Sequence, residues 1–151
     1  MINMSLKPGT NLLIMNAFSS HVNADYLEVL YPQKTITAVR GSTVKLSCEA
    51  NYDYKKCGIV HVVWHKIKEE GENSFELTDP SQYFTTVNET ITYGNMRCRQ
   101  VETEIMSVQS PHNGRYQCKA TCKSGEQAMG HFITVNIKGN WKKNLNTEVG
   151  A

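Results

Sequence analysis

The chain has 151 residues, with 16 Lys plus Arg against 14 Asp plus Glu and a formal charge of +2. That length suits one domain with its own core, because domains typically run to about 100–200 residues. Both signs of charge are scattered without a basic block, which argues against nucleic acid or an anionic membrane surface as the main partner. No window approaches the ~20 apolar residues needed to span a bilayer, so any membrane attachment requires an anchor absent from this chain.

The first 24 residues hold one early positive charge, Lys7, a short apolar stretch from Leu12 to Phe18, and Val22-Asn23-Ala24 ahead of Asp25. They read as a leader, either a secretory signal peptide or a disordered extension. From about Tyr26 onward, short runs rich in Val, Ile, Thr and Tyr alternate with Gly, Asn, Asp, Ser and Pro, the pattern of strands and turns. The expected strands are Leu27–Tyr31, Thr35–Val39, Thr43–Ala50, Val60–Ile67, Phe75–Leu77, Tyr83–Val87, Thr90–Tyr93, Glu102–Val108, Gly114–Thr121 and His131–Ile137. None carries a sustained i, i+3, i+4 apolar stripe, so the class is all-β, and this many short strands in ~110 residues indicate a sandwich or barrel. The domain is expected to span 25–138, with the polar stretch 139–151 as a stalk or tail.

Five cysteines, Cys48, Cys57, Cys98, Cys118 and Cys122, are many for a cytosolic domain, and none forms a CxxC pair. They point to an oxidising, extracellular compartment, and their odd number leaves at least one thiol without a partner in this chain. Cys48 follows Val44 and Leu46 in an alternating strand, Trp64 lies in a second strand and Cys118 in a third. That spacing matches an inter-sheet disulfide packed on a buried Trp, closing a loop of about 70 residues worth roughly 4 kcal/mol in the chain-entropy model. Tyr116, two residues before Cys118 in Asn113-Gly114-Arg115-Tyr116-Gln117-Cys118, points inward with it and can bond backbone at the corner where the chain enters that strand.

Over about Tyr26 to Lys138, the pattern V-x-G-x-x-V-x-L-x-C, then W-x-K, then G-x-Y-x-C resembles the immunoglobulin superfamily. The resemblance implies a Greek-key sandwich of two antiparallel sheets. The long interval between Trp64 and Cys118 leaves room for extra C′ and C″ strands and favours the variable-type set. His112 stands where the family usually has Asp, and Gln82 where an Arg would pair with it. The F-G-x-G joining pattern is absent from Met129-Gly130-His131-Phe132, which excludes a rearranged antibody or T-cell receptor chain. Within the superfamily, His61-Val62-Val63-Trp64-His65-Lys66, the nearby Cys57 and the stretch up to Cys118 are similar to the B- and T-lymphocyte attenuator family. Novel immune-type receptors and T-cell coreceptor ectodomains share the scaffold.

On this resemblance the loops holding Cys57 and Cys122 are neighbours at one end of the sandwich, and a second disulfide between them is expected. Cys98 is then left over, either as a partly buried inert thiol or as the link to a second copy of the chain in a homodimer. With Trp64 facing the core, alternation sends His61, Val63 and His65 outward on the C, C′, F, G face, with Gln117, Lys119 and Thr121 beside them. These residues, with Lys123 and Glu126 from the loop Lys123-Ser124-Gly125-Glu126-Gln127, are the candidate ligand contacts. Asn88-Glu89-Thr90 is an N-glycosylation sequon in a region expected to be exposed.

Neither metal nor catalytic chemistry is expected, and no cofactor. Cys57, His61 and His65 are spaced by four, but on a strand rising ~3.3 Å per residue such positions lie ~13 Å apart, far beyond a zinc shell. No Ser, His and Asp or Cys and His set is held by a recognisable motif. The function expected is therefore protein recognition by an immune cell-surface receptor ectodomain. On the attenuator resemblance its partner on another cell is a member of the tumour-necrosis-factor-receptor family. The alternative is a secreted or adhesive immunoglobulin module without signalling. A leader and an oxidising compartment place either one outside the cell.

Overall fold

The computed structural model describes residues 20–22, 25–68 and 73–139. The remainder of the leader and tail, including Trp141, lies outside the described residues. The strands are β1 (Ser20–Val22), β2 (Leu27–Leu30), β3 (Thr35–Val39), β4 (Val44–Asp53), β5 (Val60–Ile67), β6 (Ser74–Glu76), β7 (Tyr83–Tyr93), β8 (Met96–Ile105), β9 (Gly114–Cys122), β10 (Gln127–Gly130) and β11 (Ile133–Lys138). A single helical turn, α1 (Tyr54–Cys57), separates β4 from β5, and a 3₁₀ turn at Ser110–His112 precedes β9.

One sheet runs β2-β4-β8-β7. In the other, β9 is flanked by β5 on one side and by β10 and β11 on the other, with β6 beyond β5, β1 on β10 and β3 on β11. All pairings are antiparallel except β3 with β11. The chain is thus an all-β sandwich whose strand order is compatible with an immunoglobulin-type fold.

Alternation explains the two central strands. Val44, Leu46, Cys48, Ala50 and Tyr52 of β4 are buried, as are Tyr116, Cys118, Ala120 and Cys122 of β9, while the residues between them reach outward. Trp64 is fully buried. The Cys48–Cys118 disulfide joins the sheets across a Cα separation of 6.5 Å. At the corner before β9, the Tyr116 hydroxyl donates to the His112 carbonyl at 2.6 Å. Burial holds that phenol well above its ordinary pKa.

Tyr31, at the point where the chain leaves one sheet for the other, bridges them. Its ring lies 4.9 Å from Trp64, its hydroxyl donates to the His131 carbonyl and accepts from the Cys118 amide at 3.1 Å. Gly130 leaves room for that ring: a Cβ there would overlap it and come within 2.8 Å of the hydroxyl oxygen. The expected run His131–Ile137 is found as β11, and a strand that was not expected, β10, precedes it, with His131 and Phe132 between the two.

Two further expectations are corrected. Tyr83–Val87 and Thr90–Tyr93 are one strand, β7, and its partner β8 begins at Met96, not at Glu102. The two residues Gly94 and Asn95 join them, with Gly94 at φ 52°. This is the short loop that a hairpin needs, a residue free to take positive φ included. The interval between Trp64 and Cys118 is largely taken up by this long hairpin. Only β6, in the C′ position, extends the sheet beyond β5, and no C″ strand occurs among the described residues. Ser20–Val22, within the expected leader, pairs with β10.

Without an Asp before β9, the corner is held differently. The His112 ring accepts from the Gln109 amide at 2.8 Å through Nδ1, and Asn113 Oδ1 accepts from the Ile137 amide at 2.6 Å. Asp79 instead binds the amide and hydroxyl of Ser81.

Candidate protein-binding surface

At one end of the sandwich α1 is built by its own short sequence. Asp53 caps it by accepting from the amides of Lys55 and Lys56, and Gly58 ends it at φ 76°. Such a cap is worth about 1 kcal/mol. The helix delivers Cys57, buried, to Cys122, and the second disulfide closes at a Cα separation of 4.8 Å. Backbone bonds reinforce it: Lys123 N to Ile59 O at 2.8 Å and Ser124 N to Cys57 O at 3.2 Å. Gly58 lies under Lys123, whose Cβ would sit 3.2 Å from a Cβ at that position. The β9–β10 turn is tied again by Tyr26, whose hydroxyl meets the Ser124 hydroxyl at 3.2 Å.

The expected contact residues divide. Strand register places Val63 opposite Lys119, Trp64 opposite Cys118 and His65 opposite Gln117. His61 is exposed, with its Nε2 3.3 Å from Glu76 Oε1. Lys119 is partly exposed, and Lys123 and Glu126 are fully on the surface. Val63 is corrected: only 8 % exposed, it is covered without joining the core, so it offers a partner little area. His65 is half-buried, and its Nδ1 lies 3.3 Å from the Ser74 hydroxyl. Gln117 is engaged, donating to the Gly130 carbonyl at 2.7 Å.

Sequence reasoning missed two features of this end. Ile59, between the stapled helix and β5, is 76 % exposed. Behind it, Arg99 bonds the Val60 carbonyl and Glu89, both at 2.9 Å, and Glu89 also accepts from Tyr52. Burial, followed by the bond to Glu89, pushes the Tyr52 phenol up to about 12. Arg97 stacks 4.3 Å over the Tyr54 ring. The signal for α1 was present in Asp53, followed by a Gly five residues later, the N-cap and C-cap pair.

Cys98 is the free cysteine, half-buried on β8. Its register partners are Asn51 and Thr90, which puts it on the four-stranded sheet, away from His61. Burial and the charges of Glu49 and Glu89 raise its pKa, which keeps the thiol protonated and slow to react at neutral pH. Asn88 is exposed at mid-strand on β7, where its side-chain amide donates to Gln100 at 3.3 Å. Among the described residues no three His, Cys, Asp or Glu side chains gather as a metal shell, and no helix is long and apolar enough to cross a membrane.

Two histidines make stability depend on pH. Burial holds the pKa of His65 and of His112 below the ordinary value. His65 Nε2 is buried without a hydrogen-bond partner, and protonating His112 Nδ1 would break its bond from Gln109. The folded state therefore binds fewer protons than the unfolded chain. Their stabilisation is complete above an unfolded pKa of about 6.5 and is lost as pH falls through the folded values. The urea midpoint is expected to fall between pH 7.5 and pH 5.5, and to fall less in H65Q/H112Q. An equal fall in that variant would show that these two histidines do not set the pH dependence.

Compared with known proteins, the chain matches no family model, and no curated protein matches it in sequence.

Proposed function

We propose that the chain is the extracellular recognition module of an immune cell-surface receptor, of the co-inhibitory or coreceptor kind, and that it binds a protein on another cell. The observation that carries this reading is the Cys57–Cys122 bond, which fixes the turn before β5 to the turn after β9. A surface ordered before contact loses less conformational entropy when a partner docks. Exposed Ile59, His61, Lys123 and Glu126 stand on or beside that fixed end. They combine one apolar anchor with polar neighbours, as in the centre and rim of an interface.

Two disulfides are compatible with an extracellular or secreted domain. The extra strand β6 and the pairing of β3 with β11 support a variable-type set. The attenuator resemblance adds a partner class, the tumour-necrosis-factor-receptor family, to be placed first in any screen.

The test is a screen of the oxidised, secreted domain, displayed as a multimer, against cell-surface proteins of the same organism. Saturable binding to one membrane protein, abolished by prior reduction of the domain, is expected. Absence of any such binder across the full surface set would refute the proposal.

A further inference from the structure

The outer face of the four-stranded sheet carries a groove of about 650 Å³ that the recognition surface does not use. Its volume is that of a small-ligand site, about 300–1,000 Å³. The groove runs from Leu30 and Pro32 at one edge of the sheet, across Glu49 on β4 and Gln100 and Glu102 on β8, to Asn88 on the edge strand β7. The polar groups form a connected row. Asn88 Nδ2 donates to Gln100 Oε1 at 3.3 Å, and Gln100 Nε2 donates to Glu49 Oε1 at 3.0 Å.

The chemistry of the lining selects a class of ligand. No Lys or Arg lines it, which disfavours phosphate or carboxylate ligands. Two carboxylates with spare lone pairs favour a neutral donor of many hydroxyls, since O–H to carboxylate bonds are among the stronger hydrogen bonds. Leu30 and Pro32 supply an apolar wall for the C–H face of a ring. One residue of the lining, Asn88, is also the acceptor asparagine of the sequon Asn88-Glu89-Thr90.

We propose that this groove is the seat of the chain's own N-linked glycan, whose first sugars lie across the sheet from Asn88 toward Leu30 and Pro32. The inference rests on the extracellular reading above. In the secretory pathway a polyprenyl-pyrophosphate-linked oligosaccharide is the donor. A bond forms between Asn88 Nδ2 and the anomeric carbon, the bond from that carbon to the pyrophosphate breaks, and the amide gives up one hydrogen as a proton. One N–H remains on Nδ2, sufficient to keep the bond to Gln100. A glycan so seated covers the four-stranded sheet and part of the unpaired edge of β7, an exposed strand of 11 residues that otherwise invites strand pairing. It leaves the β5–β9 face and the stapled end as the open surface for a partner.

The test uses the full chain secreted from cells that make only high-mannose glycans, with the sugars labelled with carbon-13. Intact mass gives the occupancy of Asn88 and the state of the disulfides. Nuclear Overhauser contacts from the N-acetyl methyl group of the first sugar to Leu30 and Pro32 are expected. Amide exchange across 47–49 and 100–102 should be at least tenfold slower than in T90A, which lacks the sequon. Enzymatic release of the glycan from the folded protein should give the same acceleration as T90A, independently of any folding defect in the variant. E49Q/L30S, fully occupied, should lose the contacts.

An occupied Asn88 whose sugars tumble freely, with unchanged exchange, would overturn the seat. So would an unoccupied Asn88 on exported protein with both disulfides formed, an outcome that leaves the extracellular reading standing. Failure of the chain to be exported at all would sink that reading first, and the seat with it.

Discussion

Removing both disulfides is expected to unfold the domain at 37 °C, whereas removing either one leaves a weakened but folded sandwich. The reason lies in how the two bonds overlap. Taken alone, Cys48–Cys118 spans a sequence separation of 70 and Cys57–Cys122 one of 65. With one closed, the other no longer closes a long loop, because Cys48 lies close to Cys57 in the chain and Cys118 close to Cys122. The ring formed by the second bond is only about 15 residues, worth about 3 kcal/mol, against a little over 4 kcal/mol for the first. C48A/C118A and C57A/C122A should therefore each cost about 3 kcal/mol in urea titrations, the former somewhat more because it also strips packing from Trp64. The fourfold variant should lose about 7 kcal/mol, more than the sum of the two by about 1 kcal/mol. A natural domain has about 5–15 kcal/mol in all, so that loss is enough to unfold many of them. Losses of about 4 kcal/mol for each pair, strictly additive, would show that the two rings do not constrain the unfolded chain in common.

The second large effect is expected at Gly130. In G130A the new methyl group meets the Tyr31 ring, which is itself fixed by the His131 carbonyl, the Cys118 amide and Trp64. Neither side can yield cheaply, and overpacking of this kind costs typically 1–3 kcal/mol. With one buried and one part-buried hydrogen bond at stake we expect the upper end, about 3 kcal/mol. Y31A on its own should also be costly, since it orphans the Cys118 amide and empties space beside Trp64. The double variant G130A/Y31A should then be less destabilised than the sum by 1 kcal/mol or more, because the clash disappears with the ring. Additive losses would mean that Gly130 matters for some reason other than Tyr31.

These two sites also mark what was legible in the sequence. The core constellation of Cys48, Trp64, Tyr116 and Cys118 could be read because each residue sits in a strand buried on one face, where period-two alternation is clean. The pairing of Cys57 with Cys122 followed from the family resemblance once the core was placed. The β7–β8 hairpin was partly illegible for a physical reason. Near its tip the positions of β8 in line with buried Val101 and Ile105 carry Arg97 and Arg99, and Arg99 bonds the Val60 carbonyl across the sandwich, so the apolar alternation that marks a strand is missing there. On the edge strand β7 the apolar Val87 and Ile91 are themselves 57 % and 68 % exposed, so apolar positions there do not mark a buried face. The close approach of Gly130 to Tyr31 joins residues about a hundred positions apart in the chain, and no local pattern carries such a contact. Along β5 the alternation of His61 and His65 was legible, but the burial of Val63 was not.

Recognition is proposed at the stapled end and the adjoining β5–β9 face. The most direct measurement is the affinity of the partner found by the screen for three oxidised variants whose urea midpoints match the wild type. I59D and K123E alter the fixed end, and E104K alters the opposite sheet. At least a tenfold weaker Kd is expected for I59D and for K123E, a loss of about 1.4 kcal/mol or more, with E104K unchanged. Unaltered affinity in the first two together with a loss in E104K would contradict it.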